Sequence, residues 1–356
     1  MNFFNKKFKN FFFKRIIYGY KKLKVQNNIK LFSNINDELT VKQLNLYNKK
    51  NLFFGENYNI AEKSIRQKLI REVAGFRLIQ FILFFHSYNL KLCYPLCNEW
   101  IEVLTNNNIK VNKFFSFFLW KIFLAYKIVK SFILFLQILK YNLFSNTFTD
   151  EKFYYLFNIS VNNIPNYKKK YTNYGIFDLI KSIENNNIDN FKHDVINNNF
   201  VKSNLKINYS KFFFHPNNNI FFNIKIINWY IISLFYSFFG FFFSWKYPFF
   251  LSECLLSKIV SYNNVKYLPY KSYFNNSSPI YRPYWTYFAE LKNCLTVFYF
   301  YSTNIIEFGK KEDPVIDYLG WKINTWNHFY FWDDIQEKYI KKFNNQFNSK
   351  IVGPIN

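Results

Sequence analysis

A run of twenty uncharged residues, from Ile226 to Trp245, constrains the fold of this chain more than any other feature of the sequence. A helix of that length spans about 30 Å, which is the thickness of the hydrocarbon core of a bilayer. Trp229 and Trp245 stand towards its ends, where tryptophan is favoured at the level of the lipid headgroups. Gly240 lies inside the run and would allow a neighbouring helix to approach closely. The run therefore predicts a transmembrane helix within residues 220–252.

The phenylalanines of this run are weaker evidence than its missing charges. The chain holds 49 Phe and 29 Tyr but only 8 Gly in 356 residues, far from average usage. Asn, Lys, Phe, Tyr and Ile are encoded almost wholly by A and T, so a very AT-rich gene explains this usage and part of the net charge of +25. Other Phe-rich stretches, such as "FFNKKFKNFFFKR" near the start, are interrupted by lysine within a few residues. The span thus rests on the absence of lysine, and Pro248 is predicted to end it.

Residues 1–58 are predicted to form a basic N-terminal arm. No acidic residue precedes Asp37, and Asn-rich interruptions favour an extended segment on the surface of a partner. The beginning of the chain has neither the Ser and Arg content of a transit peptide nor the clean apolar run of a secretory signal. We therefore expect no import signal, as for a protein made inside the organelle in which it acts.

Residues 59–145 are predicted to be a helical region. Residues 59–88 indicate one helix in which Glu62 precedes Arg66 by four residues, the favourable order for an ion pair. Because arginine is rare in this chain, the arginines of this helix are candidates for contact with another subunit or with lipid: Arg66, Arg71 and Arg77.

Residues 113–144 form a second candidate helix, in which Lys127, Lys130, Gln137 and Lys140 share one face. This pattern favours an amphipathic helix that lies at the membrane surface or packs inside a complex. A membrane span whose lysines are shielded by protein stays open as the alternative.

Composition divides the rest of the chain. Residues 146–219 are polar and rich in Asn, which is typical of a loop insertion. Residues 253–356 hold nine of the 22 acidic residues and four of the eight tryptophans, which indicates an ordered, aromatic-rich extramembrane domain. Within it, residues 293–306 are compatible with a buried strand or a short helix. The predicted fold class is mainly α, with one or two transmembrane or interfacial helices.

Two short stretches of this domain contain residues that could bind a ligand or carry chemistry. "SSPIYRPYWTYFAELKN" gathers Arg282 and Trp285, candidates for contact with a subunit or a lipid; a structural arginine that anchors a turn is the alternative. His328 lies near Asp333 and Asp334, but no second histidine and no nucleophile motif accompany them. The two aspartates are instead expected to open a helix.

The sequence shows no signature of catalysis or of cofactor binding that we can identify. It lacks glycine-rich nucleotide loops, a Walker loop and a haem attachment motif. The four cysteines, Cys93, Cys97, Cys254 and Cys294, match neither a disulfide framework nor a zinc site. We therefore expect no catalytic residues and no directly bound cofactor or metal, and a structural phospholipid such as cardiolipin is the one ligand that the membrane hypothesis suggests.

The composition, together with segments such as "FFSFFLWKIFLAYKIVKSFILFL" and "NWYIISLFYSFFGFFFSW", resembles the fast-evolving proteins encoded in ciliate mitochondrial genomes. The resemblance implies a non-catalytic or strongly diverged membrane subunit of an oxidative phosphorylation complex of the mitochondrial inner membrane, cytochrome c oxidase first and ATP synthase second. Its partners would be the other subunits and membrane lipids. The alternative is a mitochondrial ribosomal protein whose basic, aromatic N-terminus binds rRNA.

Overall fold

The computed structural model describes two compact units, each taken by itself. Unit 1 holds described residues of Met1–Phe132 and Ile232–Ser252, and unit 2 holds described residues of Ile133–Ile231, Glu253–Val315 and Asn324–Asn356. The described residues are 2–22, 28–42, 58–145, 152–157, 180–184, 190–193, 206–243, 246–275, 281–300 and 324–353.

Helices make up the larger part of the described residues, so the prediction of a mainly α chain is confirmed at that level. They are α1 (Asn2–Lys22), α2 (Asn28–Val41), α3 (Tyr58–Glu72), α4 (Gly75–Ser87), α5 (Asn98–Asn106), α6 (Lys113–Phe144), α7 (Ile220–Phe242), α8 (Tyr247–Tyr262), α9 (Trp285–Glu290) and α10 (Asp334–Lys341). A short 3-10 helix covers Val265–Tyr267, and residues 180–183 are also helical.

The N-terminal arm is helical where the structure describes it, so the prediction of an extended arm is wrong for α1 and α2. In unit 1, α1 packs against α4. A side chain at Gly19 would collide with the backbone carbonyl of Leu83. The missing Cβ of Gly19 therefore allows the backbones of α1 and α4 to approach closely. Packing against α4 in turn stabilises α1 as a helix.

The predicted helix over residues 59–88 is two helices. α3 ends at Glu72 and α4 begins at Gly75, because glycine weakens a helix interior. The second predicted helix agrees with α6 at both ends.

The apolar run at the centre of the sequence is also divided. α7 ends at Phe242, before the predicted end at Trp245, which lies outside the described residues. Pro248 does not end this helix but lies in the first turn of α8, where its missing N–H has no helical partner to lose. Among the described residues, α6 and α7 are long and apolar enough to cross a membrane.

A seven-stranded parallel sheet in unit 2 is the main feature that the sequence analysis missed. Its strands are β1 (Tyr154–Phe157), β2 (Asn190–His193), β3 (Lys206–Tyr209), β4 (Lys271–Asn275), β5 (Leu295–Tyr299), β6 (His328–Phe331) and β7 (Asn348–Ile351), in the order β3-β2-β1-β4-β5-β6-β7. Every pair is parallel. β2 and then β3 lie on one side of β1. β4 pairs with the other side of β1, and β5, β6 and β7 follow in order on that side.

Within residues 146–219, the prediction of a loop does not hold for β1, β2 and β3, which are strands. These strands have only four residues each. A segment of four residues is too short for its apolar pattern to distinguish a strand from part of a helix. Of the two interpretations of residues 293–306, the buried strand is confirmed by β5.

Candidate functional site

The strand order of unit 2 reverses between β1 and β4, and this reversal defines the candidate site. Both strands point the same way, so their carboxyl ends, at Phe157 and Asn275, lie at one edge of the sheet. In doubly wound parallel sheets, ligands bind outside the carboxyl ends of the strands where the order reverses. We call this edge between β1 and β4 the switch point.

An aromatic cluster holds the two strands together at the switch point. The rings of Phe157 and Phe274 stack with their centroids 4.3 Å apart, and Trp285 of α9 lies 5.6 Å and 6.0 Å from them. Phe213 stacks on Trp285 at 3.8 Å. Trp285 is buried, so its predicted contact with a subunit or lipid is corrected: it packs α9 onto the sheet.

A buried carboxylate fixes the start of α9, which follows β4. Glu253 of α8 accepts a hydrogen bond from the backbone N–H of Tyr284 at 3.3 Å. Burial, followed by the nearby Cys254 and Tyr287, raises the pKa of the Tyr284 hydroxyl. This phenol therefore stays neutral at physiological pH.

Arg282 is fully buried, which corrects its predicted contact with a subunit or lipid. Its Nη2 lies 2.5 Å from Oε2 of Glu290. Its Nε donates to Oγ1 of Thr286 at 3.0 Å, and Nη1 donates to the carbonyl of Thr325 at 2.7 Å. The guanidinium also lies 4.0 Å from the ring centre of Tyr287. The alternative of a structural arginine is therefore the one that the contacts support.

His328 and the two aspartates lie at opposite ends of β6. His328 is the first residue of the strand, and burial is the main cause that lowers its pKa. Asp333 follows the strand and accepts a hydrogen bond from the N–H of Gln336 at 2.8 Å. The aspartates thus open α10 as expected, and they form no acid–base pair with His328.

The remaining predicted residues lie on helices. Trp229 is half-buried and Gly240 is buried on α7, while Trp245 falls outside the described residues. Arg66 pairs with Glu62 at 2.8 Å, which confirms the predicted ion pair. Arg71 and Arg77 are exposed, and their contact with a subunit or lipid stays a prediction.

A second polar cluster, centred on Glu184, was not predicted. Its carboxylate accepts from Nζ of Lys271 at 2.6 Å, from the hydroxyl of Tyr273 at 2.8 Å and from that of Tyr330 at 3.2 Å. Glu184 lies in an Asn-rich stretch, and its partners come from β4 and β6, so no local pattern could reveal the cluster. Lys271 is the first residue of β4 and Tyr273 its middle residue, whereas Tyr330 is the third of the four residues of β6.

The Glu184 cluster predicts a loss of stability in alkali. Burial, first among the causes, raises the pKa of both Tyr273 and Tyr330 above the ordinary value of 10.0. Above about pH 10 the unfolded chain releases these protons while the folded chain retains them, so the free energy of unfolding falls as pH rises. We expect the thermal unfolding midpoint of the detergent-solubilised full chain to fall between about pH 9.5 and 11.

Tyr273→Phe should reduce the slope of this dependence, because one of the two ionisable hydroxyls is gone while Tyr330 keeps the other. Tyr262→Phe, at an exposed position on α8, is the matched control and should keep the wild-type slope. Equal slopes in the two variants would contradict the prediction.

The cysteines and other metal-ligating residues form no further site in the described segments. Cys97, Cys254 and Cys294 are buried free thiols and Cys93 is half-buried. Burial raises the pKa of Cys294 to about 11 and that of Cys97 to about 12, so these thiols are protonated at neutral pH. Across the described part of the chain, no group of three or more His, Cys, Asp or Glu could hold a metal ion.

Comparison with known proteins shows that part of the chain matches a family model. Residues 231–356, about a third of the chain, match the model of a family described as polysaccharide biosynthesis PFTS motif protein. The matched segment includes α8, α9, α10 and the strands β4 to β7. No curated protein and no solved structure matches the chain.

Proposed function

We propose that this protein is an enzyme of polysaccharide biosynthesis that binds a nucleotide-activated sugar at the switch point. The order of the parallel sheet is the observation that carries the proposal. The order β3-β2-β1-β4-β5-β6 is that of the doubly wound nucleotide-binding folds.

The family match supports the same proposal from an independent direction. Its description names polysaccharide biosynthesis, and the match includes β4, one of the two strands of the switch point. Formation of a glycosidic bond needs a sugar whose anomeric carbon carries a good leaving group. A nucleoside diphosphate is such a group, and a nucleotide is the kind of ligand that binds where a doubly wound sheet reverses.

The buried residues around the switch point have a positioning role in this proposal. The stacked rings of Phe157 and Phe274 fix the spacing of the two strands, and Glu253 holds the backbone at the start of α9. Sites are more precise when rigid elements support them. We assign no catalytic residue to the described side chains.

The hypothesis of a mitochondrial respiratory subunit, and that of an rRNA-binding ribosomal protein, stay predictions. Of the features that motivated the first, the two apolar helices are present. They suit a membrane-bound biosynthetic enzyme equally well. The parallel sheet and the family match favour the biosynthetic proposal.

Nucleotide binding by the full chain in detergent tests the proposal. Calorimetric titration with UDP-, GDP-, CMP- and dTDP-linked sugars should show that one nucleotide class binds with a Kd on the order of micromolar, about −8 kcal/mol. A photoactivatable azido analogue of that nucleotide should then label peptides that follow β1 or β4. An excess of the unlabelled nucleotide should abolish the labelling.

A pair of variants locates the site more sharply. Glu253→Gln should weaken nucleotide binding by about tenfold, because a neutral amide oxygen accepts a weaker hydrogen bond at the start of α9 than a carboxylate does. Glu337→Gln, on α10, should bind as the wild type does. Binding of NAD alone, or labelling confined to unit 1, would contradict the proposed function.

A further inference from the structure

The buried side of α6 mixes apolar residues such as Trp120 with polar ones, and its outward side is mostly apolar. Its buried side includes three polar residues with no exposed surface, Ser116, Ser131 and Asn142. Its outward side carries large apolar residues that are about half exposed, among them Phe118, Ile122, Val129 and Leu136. On the surface of a water-soluble protein, the outward side of a helix is instead mostly charged or polar.

The outward side of α7 is also apolar. Ser233 and Ser237 are fully buried, and Gly240 shares their side of the helix. Phe235 and Phe242 are 59% and 75% exposed on the opposite side, together with Ile231, Phe238 and Phe239. Small residues at three- and four-residue spacing on the buried side are typical of helices that pack in lipid.

In unit 2, a buried hydrogen bond and a ring stack join α6 and α7. The amide nitrogen of Asn142 donates to the side-chain oxygen of Asn223 at 3.0 Å, and Phe135 stacks on Tyr230 with ring centres 4.1 Å apart. Moving seven residues forward on α6 corresponds to moving seven back on α7, so these parts of the helices are antiparallel. Interhelical amide bonds of this kind stabilise helix pairs where no water competes.

The uncharged length of α7 and the positions of the lysines on α6 are consistent with an apolar environment around these helices. From Ile226 to Phe243, α7 and the residue after it carry no charge, a length of about 27 Å against about 30 Å for a hydrocarbon core. On α6, Lys127 is buried and pairs with Glu72 inside unit 1. Lys130 and Lys140 are exposed, where their stems can extend towards lipid headgroups.

The N-terminal helix adds a preference for negative lipids. α1 contains seven Lys or Arg and no acidic residue. Phe11, Phe13, Ile17 and Tyr18 are about half exposed on the same helix. Exposed aromatic groups beside a dense positive charge fit the surface of an anionic bilayer.

From these observations we propose that the outward faces of α6 and α7 lie among the acyl chains of an anionic lipid bilayer. The inference is independent of the proposed function, since it concerns these helices and not the switch point. Its test therefore needs no nucleotide.

Flotation with vesicles tests the proposal on the purified full chain after detergent removal. The chain should float with vesicles of phosphatidylcholine containing phosphatidylglycerol, and less with phosphatidylcholine alone. The double replacement Phe235→Asp and Phe238→Asp should reduce the floating fraction by about tenfold or more, because carboxylates are strongly disfavoured in hydrocarbon. Both side chains are exposed, so the unfolding midpoint in detergent should not change.

Leu291→Asp is the matched control. Leu291 is 78% exposed and lies just after α9, outside both helices, so this variant should float as the wild type does. The proposal is overturned if the Phe235/Phe238 variant floats normally. It is also overturned if the wild-type chain stays soluble without lipid or detergent, as a monomer or as an oligomer that covers these faces with a second copy.

Discussion

Replacing Glu290 by alanine is expected to lower the thermal unfolding midpoint of the detergent-solubilised chain by about 10 °C. The change removes the carboxylate that lies 2.5 Å from the fully buried guanidinium of Arg282. An uncompensated buried charge costs about 3–5 kcal/mol, and in a chain of this size each kcal/mol shifts the midpoint by about 2–4 °C. Differential scanning fluorimetry on tryptophan emission measures the shift.

Two further variants test whether the loss of stability comes from the unpaired buried charge of Arg282 or from the loss of any glutamate. Glu337→Ala breaks the ion pair with Lys341, whose side chain is half exposed, so it should cost at most about 1 kcal/mol. Replacing both partners, as Arg282→Met with Glu290→Leu, should recover much of the loss because no buried charge remains. A shift for Glu290→Ala as small as that for Glu337→Ala would show that Arg282 is not buried in this way.

Replacing Trp285 by alanine is expected to destabilise the chain by about 3–5 kcal/mol. The indole fills the space between Phe213 and the stacked rings of Phe157 and Phe274. Its removal leaves a cavity beneath the switch point, so nucleotide binding should weaken as well. Urea unfolding followed by far-UV circular dichroism measures the stability change without relying on tryptophan fluorescence.

Trp285→Phe is the matched comparison, because it keeps an aromatic ring in the cluster and should cost less. If Trp285 were instead an exposed contact for another subunit, alanine would change the stability of the isolated chain by less than about 0.5 kcal/mol. Such a result would restore the interpretation made from the sequence and remove the packing role assigned to this residue.

The helices that sequence reasoning found are those whose pattern is local. The ends of α6 agree with the predicted segment at Lys113 and Phe144. The pair Glu62 and Arg66 forms because four residues separate its members on one helix. Asp333 caps the start of α10 because the N–H that it accepts from is only three residues away.

The sheet was missed because its information is not local. β1 and β4 pair although more than a hundred residues separate them, and a strand of four residues such as β1 shows no period that differs from that of a helix segment. The Asn-rich composition between the strands also concealed them. Arg282 illustrates the same limit for a single residue: its isolation in the sequence suggested an external ligand, while its actual partners are four to 43 residues away in the chain.

The sequence by itself determined where long apolar helices form, because hydrophobicity and the absence of charge act over a few consecutive turns. It also determined the basic character of α1. Only the tertiary structure decided which apolar residues of α6 and α7 are buried and which face outward, since a helical pattern defines faces without saying which one is buried. The tertiary structure likewise created the switch point, because the reversal of strand order depends on which distant strands pair with β1.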